Sequence, residues 1–248
     1  VAELRAAVAA EVDPTDAAFP VDDACLRRYL RARDGDVKKA AKMLKATLKW
    51  RKEYGTATIV EDKFPVLEAE CATGKTYVAP FRDRAGRATV VMRNRNENTK
   101  DHDGNVAHLV YQMERAVAAA KETPQETWNL VIDFEGYSLR NAPPMKTSRA
   151  TLSVMQDHYP ERLNKAFLIQ APWIFMGFFR LISPFIDPVT RDKIVFVSGK
   201  PAERAKVMAE HFEMGPVEDA FGGGSKCAYD AATYLAADKA KYEAASKR

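Results

Sequence analysis

The chain has 248 residues, 46% of them apolar, and its 38 basic and 34 acidic side chains leave a formal charge of +4. That is enough apolar material for one large domain with a small appendage, and the charge imbalance is too mild to call for a nucleic-acid partner. Cys25, Cys71 and Cys227 stand far apart with no shared spacing, which argues against a disulfide framework or a zinc site and fits a reducing compartment.

In chain order, VAELRAAVAAEV is alanine-rich but carries Glu3, Arg5 and Glu11, so it does not read as a secretory leader. The chain begins with Val, and a targeting segment before it is left open. Residues 22–33 read as a helix capped by Asp22 or Asp23, with Leu26, Tyr29 and Leu30 on one face and Gly35 as its stop. Asp36 caps a second helix that runs to about Tyr54 along Val37, Ala40, Ala41, Leu44 and Leu48. Between 27 and 52 basic residues crowd against only Asp34 and Asp36, and this is either a solvated helix face or a surface for phosphates and anionic lipid.

The period then changes. TYVAPF and ATVVMR are β-like runs around a polar loop with Gly86, a hairpin. Helical spacing returns from about Val106 to Ala120. Three continuous apolar runs follow at 128–134, 166–170 and 194–198, separated by segments long enough for crossover helices. Such strands predict an α/β fold with a mixed, largely parallel sheet covered by helices, following a helical N-terminal segment. Pro201 starts a further helix, and residues 230–246 form a terminal one.

APWIFMGFFRLISPFI, residues 171–186, has Arg180 as its only charge and is too short and interrupted to span a bilayer. Pro172 and Pro184 bracket a helix of about three turns. Its residues Trp173, Ile174, Phe175, Met176, Phe178, Phe179, Leu181 and Ile182 are spread around the axis, so the helix needs apolar surroundings on nearly every side.

Catalytic and nucleotide motifs are incomplete. CATGKT has Ala69 where a phosphate loop needs glycine, and GYSLR has Arg140 at the second glycine of a nucleophile elbow. His102, His108, His158 and His211 lack metal-ligand spacing. One enzyme alternative remains, a serine hydrolase using Ser138 with His158 and either Asp133 or Asp157.

Glu161 precedes one strand, and Thr190 and Lys193 precede the next, so in parallel strands all three lie at the amino-terminal edge of the sheet. A carboxylate, a hydroxyl and an ammonium there can grip a phosphorylated, polyhydroxylated headgroup; the plain alternative is a Glu161–Lys193 surface ion pair.

CLRRYLRARDGDVKKAAKMLKATLKWRKEYG, NLVIDFEGYSL, HYPERLNKAFLIQAP and PFIDPVTRDKIVFV, in that order and spacing, resemble the CRAL-TRIO family, with TGKTY, ENTK, HLVYQMERAV and AFGGG also in register. The likeness covers about residues 22–226 and is nearest to the phosphatidylinositol-transfer branch. It implies an N-terminal segment over 1–70, a lipid-binding domain over 71–228 whose sheet floors a hydrophobic pocket, and a C-terminal helix over 229–248. It further implies that 171–186 is a gate helix, its apolar residues together with Phe185 meeting acyl chains on one side and the bilayer on the other.

By position, Arg33, Glu161, Thr190 and Lys193 match the residues that hold phosphatidylinositol in that family. Two departures stand out: Asp34 replaces a basic residue that can follow RAR, and Val90 and Arg140 occupy positions associated with phosphatidylcholine. The resemblance therefore implies a non-enzymatic, monomeric, cytoplasmic carrier of phosphatidylinositol. It would touch membranes transiently and need no metal, nucleic acid or cofactor beyond the bound lipid. Carriage of a neutral isoprenoid and a membrane-tethering module with a vestigial pocket are the alternatives.

Overall fold

The computed structural model describes residues 1–14, 16–182, 191–226 and 229–247. Helices α1 (Ala2–Val8), α2 (Asp23–Arg31) and α3 (Val37–Tyr54) form the N-terminal segment. Two caps set them: the Asp22 carboxylate accepts from the Cys25 amide at 2.8 Å and that of Asp36 from the Lys39 amide at 3.0 Å. Gly55 closes α3 in the left-handed conformation that glycine adopts without steric cost. Leu4, Val8, Leu26, Tyr29, Ala40 and Leu44 bury together between the three helices.

The basic run divides by face. Lys38, Lys39, Lys42, Lys49 and Lys52 are solvated, whereas Arg28 and Arg51 turn inward. Arg51 pairs with Asp16 at 2.9 Å and Glu114 at 2.7 Å, and Arg28 with Glu126 at 3.1 Å, tying the bundle to the rest of the molecule.

Beyond α4 (Ile59–Cys71) comes a five-stranded sheet in the order β1-β2-β3-β4-β5. The strands are β1 (Thr76–Val78), β2 (Thr89–Arg93), β3 (Trp128–Asp133), β4 (Leu163–Ile169) and β5 (Ile194–Val197). β1 and β2 are the expected antiparallel hairpin, with Tyr77 opposite Val91. β2 to β5 run parallel, Val91 beside Val131, Val131 beside Phe167 and Phe167 beside Val195.

Crossovers pass through α5 (His102–Lys121), α6 (Met145–His158) and α7 (Trp173–Ile182). Right-handed crossovers between successive neighbouring strands put all their helices on one face, and these three do cover one face. On the other, Val91, Val131, Phe167 and Val197 pack on Met208 of α8 (Pro201–Ala209), Phe212 and Phe221. The chain ends in α9 (Ala231–Ala245), whose Tyr242 ring stacks on Phe64 of α4 at 5.1 Å.

Strand alternation decides what each face offers. Met92, Ile132, Ala166, Leu168 and Ile194 point to the crossover side, and there the helices do not close down on the sheet.

Candidate functional site

The gap between that face and α5, α6 and α7 is a cavity of about 490 Å³. Its floor is the apolar row just named; its walls are Leu109 of α5, Leu152 of α6, and Phe175 and Phe179 of α7. The α7 side chains are fixed by aromatic contacts, Phe175 with Phe134 at 4.8 Å and Phe179 with Phe196 at 5.3 Å. At one end the lining turns polar. Lys75, 5% exposed, pairs there with Glu70 and with Glu97 at 3.0 Å, and its ammonium also donates to Asn105 at 2.9 Å.

His108 in the same wall is neutral, since burial pulls its pKa down to about 3 and Lys75 adds to the effect. Its Nε2 accepts from the Gln112 side-chain amide at 3.0 Å.

A second cavity of about 550 Å³ opens at the amino-terminal edge of the sheet, between the end of α2 and the starts of β4 and β5. It shares Leu152 and Leu163 with the first, so a polar chamber adjoins an apolar one. Arg33, Glu161 and Lys193, from three separate parts of the chain, all line it. Among the described residues no ion pair engages any of them. The Glu161–Lys193 pair of the plain reading does not form, and among the described residues the Arg33 guanidinium hydrogen-bonds only the Ala32 carbonyl, at 2.7 Å. Asp34 lines the same chamber.

Asp34 and Glu161 also have left-handed backbones, at φ 52° and 57°. A non-glycine residue pays a steric cost there and keeps that conformation where the surroundings impose it, often at a binding site. The remaining non-glycine residue of this kind is Gln170, at φ 51°, in the turn between β4 and α7.

Sequence reasoning missed Arg162. It lines the polar chamber, donates to the Glu126 carbonyl at 2.7 Å, and is pulled down to about 10 by burial and then by the neighbouring Arg28. Its adjacency to Glu161 was the available signal.

Thr190 and Phe185 lie outside the described residues, as do the side chains of Phe178, Leu181 and Ile182. The rest of α7 separates by side. Phe175 and Phe179 face the apolar cavity, Met176 is half-buried, and Trp173 and Ile174 face outward at 84% and 45% exposure.

The hydrolase alternative is corrected by geometry. Ser138 donates to Asn141 at 2.8 Å, while His158 stacks on Trp50 at 4.0 Å with its Nδ1 against Thr47 at 3.2 Å. Asp133 is held by Arg95 at 2.6 Å, and Asp157 accepts from Ser153 at 2.7 Å. Each polar group therefore has a partner outside the supposed triad.

Comparison with known proteins matches residues 72–223 to the CRAL/TRIO domain and residues 1–46 to the CRAL/TRIO N-terminal domain. The chain is 39% identical over 181 residues to the phosphatidylinositol transfer protein PDR17 of Saccharomyces cerevisiae, which covers 69% of this chain and 51% of that protein. To the SEC14 cytosolic factor of Candida glabrata it is 33% identical over 225 residues, 83% of this chain and 72% of that one. Several relatives are much longer, and of a CRAL-TRIO domain-containing protein of Schizosaccharomyces pombe, 37% identical, the chain spans only 17%. Among solved structures, that of Sfh5 superposes with a TM-score of 0.69 over 91% of this chain and 89% of that one, at 17% identity, a likeness of fold alone.

Proposed function

The chain belongs to the CRAL-TRIO family, and we propose that it binds a phospholipid, phosphatidylinositol first among candidates, and exchanges it at membranes. The observation that carries this reading is the pairing of two chambers. One is walled by apolar side chains, and the other gathers Arg33, Glu161 and Lys193, which have no ion-pair partner among the described residues. An amphipathic ligand with a phosphate and several hydroxyls matches both: the cations answer the phosphate, the Glu161 carboxylate accepts from ring hydroxyls, and the acyl chains take the apolar side. The names of PDR17 and its relatives point the same way.

Membrane exchange follows from magnitude. Each methylene moved into water costs about 0.8 kcal/mol, so two acyl chains cannot cross water at a useful rate and must leave through an opening docked on a bilayer. In this reading α7 is the gate, with Thr190 a further headgroup contact, and residues 1–70, 71–228 and 229–248 serve as bundle, lipid domain and closing helix.

Native mass spectrometry with organic extraction tests the ligand, and transfer of labelled phosphatidylinositol between vesicles tests the activity. Co-purified phosphatidylinositol and saturable transfer are expected. A co-purified isoprenoid, or an empty protein that loads nothing from vesicles, would overturn the assignment.

A further inference from the structure

Large apolar side chains left in water are concentrated on two helices that also wall the apolar cavity. Among the described residues six are exposed, and four of these sit on two helices: Trp173 and Ile174 on α7, and Met145 and Leu152 on α6 at 68% and 58% exposure. Both helices wall the apolar cavity, through Thr151 and Leu152 on α6 and Phe175 and Phe179 on α7.

On α6 the helical period places Leu152, Met145, Gln156 and Arg149 in one stripe about 60° wide, with Lys146 beside it. Thr147 and Val154 point into the protein and are buried. Residues 136–156 contain Arg140, Lys146 and Arg149 and no acid; the carboxylate of α6, Asp157, comes in its last turn and accepts from Ser153. All three cations are exposed, and none has an ion-pair partner among the described residues.

α6 is also firmly seated. Thr47 donates to the Asp157 carbonyl at 3.1 Å, and Thr147 hydrogen-bonds His102 at 3.1 Å.

We propose that α6 is the fixed lip of a membrane-docking face, laying Met145 and Leu152 into the interface of an anionic bilayer while Arg140, Lys146 and Arg149 meet lipid phosphates. The proposal rests on the reading that the cavity carries a lipid exchanged at membranes. It gives the mouth two lips, the gate α7 of that reading and α6, seated in the body. An anionic bilayer fits better than a protein partner. Met145 and Leu152 stand about 10 Å apart along the helix with cations around them and no groove between, which suits insertion among headgroups rather than a packed helix.

The test is flotation of the full chain with phosphatidylcholine vesicles, with and without phosphatidylserine, alongside native mass spectrometry of the bound lipid. Wild type should float more with phosphatidylserine present. Lys146→Gln with Arg149→Gln should weaken that binding about fivefold per cation removed, and Met145→Asp, at a residue that lines neither cavity, should weaken it on both vesicles, all with bound lipid retained. Val66→Asp, an exposed apolar site on α4, serves as the control and should change nothing. Wild-type binding by both the Lys146→Gln with Arg149→Gln variant and Met145→Asp overturns the proposal, as does a wild type that carries lipid yet floats with neither vesicle. Light scattering that shows a dimer lost in Met145→Asp would overturn it in favour of a second copy. A wild type that contains and loads no lipid refutes the underlying function instead. Should the aspartate variant unfold by circular dichroism, the surface glutamine variant decides alone.

Discussion

Lys193→Ala separates headgroup recognition from folding. The side chain is half-buried at the mouth of the polar chamber and has no ion-pair partner among the described residues. Its loss should therefore cost the fold no more than about 0.5 kcal/mol, the usual range for a substitution away from core and network. For a phosphorylated ligand the loss is larger, because a hydrogen bond involving a charged group contributes about 1.5–3 kcal/mol. At tenfold per 1.4 kcal/mol, that is a weakening of roughly 10- to 150-fold. The assay is transfer of labelled phosphatidylinositol between vesicles at matched protein, with thermal unfolding by circular dichroism as the fold control. Glu161→Lys should do at least as much harm, since it sets another ammonium in a chamber that already holds Lys193. Wild-type transfer by both variants, with the melting curve unmoved, would refute the headgroup assignment.

The left-handed backbone at Asp34 makes Asn the cleaner replacement, as it tolerates that conformation and removes the charge. Asp34→Asn should tighten phosphatidylinositol binding several-fold in a vesicle titration, and equal or weaker binding would place the carboxylate outside the ligand's field. His108 gives a pH dependence. Its folded pKa of about 3 lies below the unfolded value of about 6.5, so the unfolded chain takes up the proton first and stability is lost as pH falls below about 6.5. Urea unfolding should show a fall of about 1.4 kcal/mol per pH unit from this group, and His108→Gln should flatten the slope by that amount between pH 6 and 4.

What could be read beforehand divides along physical lines. β3, β4 and β5 were legible as continuous apolar runs, and α2 and α3 because Asp22 and Asp36 mark their starts chemically. α1 was not, since only Leu4 and Val8 bury and the rest is alanine with Glu3 and Arg5. α4 was hidden by Pro65 within it, although Ile59, Val60, Phe64, Leu67 and Cys71 keep helical spacing.

α6 was legible only as a length. A helix that faces a cavity has no packed stripe to advertise itself, and Thr147 and Val154 are its only buried residues. The polar chamber was half legible: Glu161 and Lys193 follow from parallel strands, but no spacing rule brings Arg33 and Asp34 to them, and only the family likeness did so.

α7 explains why a sequence that is apolar all round need not be core. Its two sides meet different neighbours, so the same chemical insult should have two phenotypes. Phe175 lies against Phe134 and lines the cavity. Phe175→Asp would put a carboxylate where nothing can solvate it, and should lower both the lipid content of the purified protein and its transfer rate. Trp173 points outward at 84% exposure, so Trp173→Asp removes no packing and should leave bound lipid near wild type. It should instead slow transfer, because an indole that would sit at the membrane interface has become a charge repelled by anionic lipid. Native mass spectrometry reads content and the vesicle assay reads rate. Equal loss of content in both variants would make α7 ordinary packing, and unchanged transfer by Trp173→Asp would mean that this side of the helix never meets a bilayer.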